Sequence, residues 1–375
     1  MREIVVCSLE PWDDVWRRNQ FFVDALLRRS SALRVLFVEP PADMVRELAQ
    51  RRRPTLRRLR SLRSDGRLHA VRPLKPLPRR LGPLSDRLLQ HQVIDAAQRL
   101  GFTCPTLWLN DVTYAPLIAV TGWPTVYDVT DDWLLAPFSP REIERLRALD
   151  GMAMASADEV VVCSATLATS RGAARDVTLV TNAVDSEHFR RPRPRPHDLP
   201  SAPTAVYVGT LHDARLDIDL VVDLARSVRG LSVALVGPDE LQAGSRAALI
   251  AEPNIHLLGP RPYADVPGYL QHGDVVVVPH RVTPFTDSLD PIKAYECLAI
   301  DTPTVATAVA GFREVAGDLV VVPAESFVAA VESLLSNAQR RRRSAEPPTW
   351  EARAQLFESV LAGARVSKGH REVLV

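Results

Sequence analysis

Short apolar runs alternate with amphipathic stretches along most of the chain, a pattern typical of parallel sheets covered by helices. The run Ile4–Ser8 is followed by Val15–Arg29, where apolar residues recur at helical spacing, and then by the run Arg34–Glu39. We predict a strand, a helix and a strand, and the length of the connection favours parallel pairing. Further strands are predicted at Thr106–Asn110, Thr125–Val129, Glu159–Cys163, Val177–Val180, Ala205–Val208, Ser232–Val236, Ile255–Leu258, Val275–Val278, Thr304–Ala306 and Val320–Val322. Further helices are predicted at Leu84–Leu100, Arg141–Ala157, Asp217–Val228, Ser326–Ala338 and Trp350–Leu361.

A proline- and charge-rich stretch interrupts this alternation near the middle of the chain. His188–Pro203 has few apolar residues, which predicts a linker, and the strand–helix alternation restarts after it. We therefore predict two doubly wound α/β domains that face a cleft. The predicted parts are an N-terminal domain (1–187), a linker (188–203), a C-terminal domain (204–345) and a C-terminal helical segment (346–375) that could pack back on the N-terminal domain.

Composition narrows the class of protein. Of 375 residues, 46% are hydrophobic and 24% charged, which is ordinary for a globular protein, and the net charge of +1 argues against nucleic-acid binding. The four cysteines are scattered without a CxxC pair, so we expect neither disulfides nor a structural zinc site. The N-terminal apolar run is too short for a signal peptide, and no run approaches the roughly 18 residues of a membrane span. We expect a cytoplasmic protein.

The segment 46–87 departs from this balance, with 14 Arg or Lys residues and three acids. Its first part, Met44–Leu62, has leucines among arginines and could form an amphipathic helix broken at Pro54. Its second part, Val71–Leu84, is rich in proline and is predicted to be an extended loop. The arginines could dock on anionic lipid at the inner membrane face, each contributing about 1 kcal/mol, or form an ordinary solvated surface.

The most informative segment is Asp287–Thr307, which passes from polar residues into a helix and then into an apolar strand. A helix start attracts anions because its first N–H groups are unpaired and its dipole is positive there. Lys293 adds a full charge, and Glu296 lies one turn further on nearly the same face. A cation and a carboxylate side by side suit a nucleoside diphosphate, although they could also form an exposed ion pair.

Loops after other predicted strands of the C-terminal half carry further candidates. Gly209 in Tyr207–Arg215 allows close backbone approach, and Arg215 could reach a phosphate. The loop Gly259–Tyr263 has the sequence GPRPY, against which a flat base could lie. Each motif is also compatible with a plain turn.

His280 follows a predicted buried strand and could contact a sugar or a phosphate, or be structural. Asp287 and Asp290 could cap the next helix or bond sugar hydroxyls.

Two acid-rich loops stand out in the N-terminal half. In PWDDVWRRNQ, Asp13 or Asp14 could act as a base toward a sugar hydroxyl, or Asp13 could cap a helix. In VYDVTDDW, the acids Asp128, Asp131 and Asp132 lie at the same predicted edge. They could bind a metal, but turn and cap roles are commoner, and we predict no metal site.

Taken in order, these motifs resemble those of GT-B glycosyltransferases. NAVDSEHF resembles the family's NGVD-x3-F, and YVGTL resembles its first C-terminal strand and glycine turn. The segment from Asn254 to His280 resembles the family's base-binding segment, and DPIKAYECLAIDTPTVAT resembles the helix and strand that hold ribose and phosphates. The two N-terminal loops look like those of bacterial enzymes of cell-surface polysaccharide synthesis, such as the teichuronic-acid type.

The resemblance implies a role for each matched residue. Glu296 would bind the ribose hydroxyls, while Arg215 and Lys293 would bind the pyrophosphate. The full implied donor side is Gly209, Thr210, Arg215, Gly237, Arg261, Pro262, Tyr263, His280, Asp287, Ser288, Leu289, Asp290, Lys293 and Glu296. The implied acceptor side is Trp12, Asp14, Arg18 and Asn19, with Asp13 and Asp131 as catalytic candidates.

Three positions depart from the family pattern. Ser288 stands where retaining members have a second Glu, eight positions before the ribose Glu. Ala183 replaces the Gly of NGVD, and Thr210 replaces an Arg after the glycine turn.

The function expected from this resemblance is transfer of a sugar from a UDP, GDP or TDP sugar to a hydroxyl acceptor, with retention and without a prosthetic group. The acceptor could be a polysaccharide, a lipid-linked molecule or a small molecule. The alternatives are a nucleotide-sugar epimerase of the same fold and a non-catalytic binding protein that has lost donor contacts.

Overall fold

A computed structural model describes residues 2–45, 59–76, 84–201, 203–337 and 346–373. Residues 46–58 and 77–83 of the basic segment, with most of its predicted amphipathic helix, lie outside this described part. The chain divides into two compact units, Met1–Val180 with Glu351–Val375, and Thr181–Trp350.

The strands of the first unit are short and mostly buried. They are β1 (Arg2–Cys7), β2 (Leu33–Val38), β3 (Ala42–Asp43), β4 (Arg60–Ser61), β5 (Leu68–Val71), β6 (Leu74–Lys75), β7 (Thr106–Leu109), β8 (Thr125–Val129), β9 (Glu159–Val162) and β10 (Thr178–Leu179). Its helices are α1 (Arg18–Arg29), α2 (Leu84–Arg99), α3 (Leu117–Thr121), α4 (Pro140–Ser156) and α5 (Ala165–Gly172).

The second unit repeats the alternation. Its strands are β11 (Thr204–Val208), β12 (Ser232–Val236), β13 (Ile255–Gly259), β14 (Val275–Val278), β15 (Thr304–Thr307) and β16 (Val320–Val322). Its helices are α6 (Ser186–Arg190), α7 (Ile218–Ser227), α8 (Ala243–Ile250), α9 (Val266–His272), α10 (Ile292–Ala299), α11 (Ala310–Arg313) and α12 (Phe327–Ser336). The last helix is α13 (Trp350–Val373).

Each unit is built on a parallel sheet. The first sheet has the order β10-β9-β8-β7-β1-β2-β5-β4, with only the β4–β5 pair antiparallel among its described strands. The second has the order β13-β12-β11-β14-β15-β16, all parallel. In the second sheet the chain order reverses between β11 and β14, and ligands of doubly wound sheets bind at such a switch point.

The predicted linker 188–203 is part of the second unit. Its prolines keep it extended, and polar side chains attach it to α9: Arg193 N donates to Gln271 Oε1 (2.9 Å), and Arg195 Nη1 donates to His272 O (2.9 Å). The boundary falls instead after Val180.

Two other differences have local causes. The first helix begins at Arg18 rather than Val15, because Asp13 Oδ1 accepts a hydrogen bond from Val15 N (3.0 Å) and closes a turn there. The short strands β3 to β6 were not predicted, since their runs are brief and lie in or beside the basic segment.

The helix α13 belongs mainly to the first unit and ends at Val373 rather than Leu361. Phe357 is fully buried, and its ring lies 4.5 Å from that of Trp108 and 5.1 Å from that of Phe22. Such aromatic contacts stabilise packing beyond the area that they bury.

A buried ion pair crosses the core of the first unit. Arg18 and Asp128 are 5% and 0% exposed, and Arg18 donates from Nε and Nη2 to the two carboxylate oxygens (3.2 and 3.1 Å). Arg18 Nη2 also donates to Val180 O (2.8 Å), and Trp108 Nε1 donates to Asp128 Oδ2 (3.1 Å). The predicted acceptor-side Arg18 therefore has its guanidinium occupied inside the core.

No helix in the described part of the chain is both long and apolar enough to cross a membrane.

We expect Arg18→Ala to destabilise the first unit by about 3–5 kcal/mol, because it leaves the Asp128 carboxylate buried without its partner. Urea unfolding measures this loss. The control is Arg28→Ala, since Arg28 is 57% exposed in its ion pair with Asp24 and should contribute below about 1 kcal/mol. Equal losses for the two variants would contradict a core role for Arg18.

Candidate functional site

The predicted ligand-binding loops of the second unit meet at the carboxyl edge of its sheet, around the switch point. Gly209 follows β11, Gly237 follows β12, and His280 follows β14 two residues later. Lys293 lies in the first turn of α10, the helix that leads into β15.

Glycine is required at two of these positions. Gly209 has φ 155° and Gly237 has φ 149°, where side chains are rarely accommodated. A Cβ on Gly209 would overlap Cε and Nζ of Lys293, and a Cβ on Gly237 would overlap the Gly209 carbonyl. The absence of a side chain at Gly209 lets Lys293 lie directly over the backbone of the β11 turn, and its absence at Gly237 lets the turns after β11 and β12 lie against each other.

Two cations lie at this edge. Lys293 Nζ is 5.9 Å from the ring centroid of Tyr207, and the Arg215 guanidinium is 5.9 Å from that of Phe285. Both act on His280, which is 6% exposed. Burial, Lys293 and Arg215 together lower the pKa of His280 from 6.5 to about 3. His280 is therefore neutral at physiological pH and adds no charge beside the two cations.

Hydrogen bonds hold the backbone of His280, and one contact reaches its imidazole. His280 N donates to Thr307 Oγ1 (3.0 Å), and Thr307 Oγ1 donates to His280 O (2.7 Å). The Tyr207 hydroxyl lies 3.4 Å from His280 Nε2. Burial raises the pKa of Tyr207, so the phenol keeps its proton and can donate it to Nε2.

The start of α10 has no side-chain cap, since its N-cap residue is Pro291. The predicted capping acids have other partners. Asp287 receives two hydrogen bonds from Arg313 (2.6 and 3.1 Å), while Asp290 accepts from the Tyr295 hydroxyl (2.8 Å) and from the backbone N–H of Asn182. In the first turn of α10, the Ala294 N–H donates to Pro291 O (2.9 Å), while the Ile292 N–H makes no hydrogen bond within the described part of the chain.

Ser288 and Leu289 are buried and serve the loop itself. Ser288 Oγ donates to Phe285 O (2.7 Å), and Leu289 is 5% exposed. The structure thus gives neither side chain a place at the exposed edge.

Glu296 lies on the same helix as Lys293 and is partly exposed. Burial raises the pKa of its carboxyl, and Lys293 offsets part of this effect. Burial, and to a smaller extent the charges of Glu296 and Asp185, raise the pKa of Tyr263 in the GPRPY loop, so the Glu296 carboxylate acts electrostatically on that loop. Within the described part of the chain no hydrogen bond or ion pair engages Glu296, so its oxygens are available to a ligand.

The GPRPY loop does not present its arginine. Arg261 Nε donates to the Tyr269 hydroxyl (2.7 Å), and Arg261 Nη2 is paired with Asp198. Pro262 is exposed, and the Tyr263 ring stacks on His188 with centroids 4.4 Å apart. Sequence reasoning missed Asp198 and His188, because both lie in the stretch predicted to be a linker or its border.

The acceptor-side candidates of the first unit divide into exposed and buried groups. Asp13 and Asp14 are exposed, and Trp12 packs edge-on against Trp16 and Phe37 (5.9 and 5.0 Å). These residues form one loop after β1.

Asn19 is 1% exposed and donates from Nδ2 to Ser8 Oγ (2.9 Å) and Asn110 Oδ1 (2.8 Å). Asp131 accepts from Thr130 Oγ1 (3.3 Å). The structure therefore does not bring Arg18 and Asn19 to the surface with Asp13 and Asp14.

Comparison with known families decides what this arrangement is. Residues 202–337 match the family described as "Glycosyl transferases group 1". The second unit thus matches group 1 glycosyltransferases over most of its length. The resemblance predicted from the motifs is thus confirmed, and the protein is a glycosyltransferase.

Individual proteins agree with this family. The chain is 24% identical over 317 residues, 77% of each protein, to Bacillus subtilis TuaH, whose name assigns it a glycosyltransferase role in teichuronic acid biosynthesis. The glycosyltransferase is similar in structure to OtsA (TM-score 0.67, 11% identity, 98% of both chains). It is also similar to Anabaena HepE solved with UDP-glucose (TM-score 0.63, 15% identity, 100% of both chains). These likenesses confirm the GT-B fold class.

The depressed pKa of His280 makes the stability of the glycosyltransferase depend on pH. A histidine whose folded pKa is about 3, against 6.5 when unfolded, contributes stability above pH 6.5 that is lost progressively as the pH falls toward 3. We expect His280→Gln to reduce this loss, because glutamine stays neutral and can still accept from Tyr207.

Melting temperatures between pH 7.5 and about 4 measure the effect. His91→Gln, at an exposed histidine, is the matched control and should keep the wild-type profile. A His280→Gln profile parallel to that of the wild type would show that His280 is not the group responsible.

Proposed function

We propose that the protein transfers a sugar from a nucleoside-diphosphate sugar to a hydroxyl acceptor, with the donor held by the second unit. The observation that carries this proposal is the placement of Lys293 over the Gly209 turn at the switch point. Arg215 acts on the same His280 imidazole as Lys293, and Glu296 lies one turn away from Lys293 on the same helix. This set offers two cations and a helix start to a diphosphate, and a carboxylate to a vicinal diol.

Catalysis then requires stabilisation of the leaving group. As the bond between the anomeric carbon and the phosphate oxygen breaks, its electron pair passes to the diphosphate, and the acceptor oxygen bonds to the anomeric carbon. Lys293, Arg215 and the positive end of the α10 dipole would stabilise the charge that develops on the diphosphate. His280 would support this role by staying neutral, since a third positive charge would be costly without ligand.

The GPRPY loop favours a pyrimidine base in the donor. Within the described part of the chain, neither the N–H nor the C=O of the Arg261 peptide makes a hydrogen bond. The other loop carbonyls already accept: Gly259 from Gly237 N (2.9 Å), Pro260 from Arg261 Nη1 (2.9 Å), Pro262 from Asp265 N (2.9 Å) and Tyr263 from His188 Nε2 (3.0 Å).

One donor and one acceptor on a single residue match the N3–H and the adjacent carbonyl of uracil or thymine. Guanine presents two neighbouring donors and needs a further acceptor. We therefore propose a UDP or TDP sugar rather than a GDP sugar, which the UDP-glucose in the HepE structure supports.

The first unit would supply the acceptor contacts through the exposed loop after β1. Asp13 and Asp131 remain the candidates for the base that receives the acceptor proton. The likeness to TuaH supports a cell-surface polysaccharide or its lipid-linked precursor as acceptor. Lipid contact through the segment 46–87 stays a hypothesis.

Retention of configuration also stays a prediction. Ser288 occupies the position of the family's second Glu, and its hydroxyl is bonded to Phe285 O. NMR of the transferred product would assign the anomeric configuration directly.

We expect UDP or TDP to raise the melting temperature more than GDP. A ligand at 100 times its Kd stabilises the folded state by about 2.7 kcal/mol, which corresponds to several degrees. Lys293→Ala should abolish the shift because it removes a phosphate contact. Lys75→Ala, at a lysine of the first unit paired with Asp43, should leave it intact. The proposal would be contradicted if none of these nucleotides raised the melting temperature of the wild-type protein.

Glu296 gives a second test, with opposite effects on stability and binding. The pKa of Glu296 in the folded protein is raised above its ordinary value of 4.5. The ionised carboxylate therefore destabilises the ligand-free fold at any pH above the raised pKa, and this cost develops as the pH rises from 4.5 to that pKa. At pH values above the raised pKa, the ligand-free Glu296→Gln variant should melt at a higher temperature than the ligand-free wild type. The same variant should show a smaller UDP-induced shift, because it loses the acceptor for the ribose hydroxyls.

Differential scanning fluorimetry between pH 4 and pH 8, with and without UDP, measures both effects. A Glu296→Gln variant with an unchanged UDP shift would contradict the ribose role, whatever its stability.

A further inference from the structure

The loop Gly259–Tyr263 is held from outside by the segment that follows the domain boundary. Gly259 has φ 75°, and two prolines remove backbone donors from the loop. Two side chains of the preceding segment contact it, Asp198 at Arg261 and His188 at Tyr263.

Asp198 holds the arginine of the loop. Its Oδ1 accepts from the Tyr269 hydroxyl (2.6 Å), its Oδ2 is paired with Arg261 Nη2, and Arg261 Nε donates to the same hydroxyl (2.7 Å). The three side chains form a closed ring of charge-assisted hydrogen bonds. Although desolvation acts to raise the pKa of Asp198, the bonds from Tyr269 and Arg261 outweigh it and lower that pKa. The ring turns the Arg261 guanidinium toward Asp198 and leaves its peptide group unengaged.

His188 holds Tyr263, the last residue of the loop. Its ring is nearly parallel to that of Tyr263, with an interplanar angle of 12° and centroids 4.4 Å apart, and its Nε2 lies 3.0 Å from Tyr263 O. Because a carbonyl only accepts, Nε2 must carry the proton. Arg193 Nη2, 3.4 Å from Nδ1, donates to the other nitrogen and is compatible with the same tautomer. His188 thus fixes both the ring and the carbonyl of Tyr263.

We propose that Asp198 and His188 are positioning residues for the nucleobase, which hold the Arg261 peptide where it can bond the base. The inference rests on the proposed function of the second unit. It assigns to the segment before β11 a part in donor selection, through the loop rather than by contact with the donor.

Variants of Asp198 distinguish two roles for Arg261, direct contact with the donor and support of the loop. If the arginine contacted the donor directly, releasing it from Asp198 would leave UDP binding intact, and only Arg261→Gln would weaken it. If Asp198 acts through the loop, Asp198→Asn and Arg261→Gln weaken UDP binding alike, and the double variant loses no more than either single variant.

The experiment compares two probes, UDP and inorganic pyrophosphate, by calorimetric titration of the full chain. Pyrophosphate occupies the phosphate contacts without a base. We expect Asp198→Asn, Arg261→Gln and His188→Ala each to weaken UDP binding about tenfold, the loss of a well-placed hydrogen bond or two. Pyrophosphate binding should stay within about twofold. His188→Phe, which keeps the ring stack but loses the bond to Tyr263 O, should fall between His188→Ala and the wild type.

Retained pyrophosphate binding shows that a variant is folded, so a structural collapse is distinguishable from a positioning defect. Equal losses for both probes, or unchanged UDP binding in Asp198→Asn, would overturn the inference. Failure of the proposed function has a different signature, namely a wild-type protein that binds neither UDP nor TDP. Lys293→Ala, which should weaken both probes, provides the reference for a phosphate defect.

Discussion

The candidate site depends on the close approach of the Lys293 side chain to the backbone of the turn after β11. Gly209 permits that approach because it has no side chain, and Gly237, which also has none, lies against the Gly209 carbonyl; both adopt φ angles that other residues rarely reach. The parallel sheet brings the turns after β11 and β12 to one edge, and the helix α10 brings the lysine to the same place. A cation therefore lies directly against backbone at the switch point, where doubly wound sheets bind their ligands.

The residues around this contact limit the accumulation of positive charge. Two cations lie near His280, and the imidazole responds by remaining neutral rather than adding a third charge. Glu296 supplies a negative charge on the same helix, but its burial makes that charge costly until a ligand bonds it. The Glu296 charge therefore lowers the stability of the ligand-free protein, as expected of a site arranged for an anionic ligand with hydroxyl groups.

The first unit shows how the same residue types serve a core instead of a site. Arg18 and Asp128 were grouped with polar neighbours in the sequence, yet they form a buried pair with additional hydrogen bonds from Trp108 and to Val180. A buried pair of this kind must satisfy all its polar atoms locally, which leaves none for an acceptor. The exposed part of the loop after β1, Trp12 to Asp14, is what remains for that role.

The sequence by itself determined the alternation of strands and helices, the class of fold, and the motif that carries Lys293 and Glu296. Those features are local, since period, run length and glycine position are written in consecutive residues. The strands β3 to β6 escaped, because they lie in or beside the basic segment, where charged residues and prolines interrupt the apolar pattern.

Only the tertiary structure decided which polar side chains face a ligand. Arg18, Arg261 and Asp290 have partners more than 60 residues away along the chain, in Asp128, Asp198 and Asn182 respectively. Asp198 and His188 have a proposed role because their segment packs against the GPRPY loop. Their partners, Tyr269 and Tyr263, are distant from them in sequence. Whether a charged side chain is available depends on what else reaches it, and that is settled by the fold rather than by spacing along the chain.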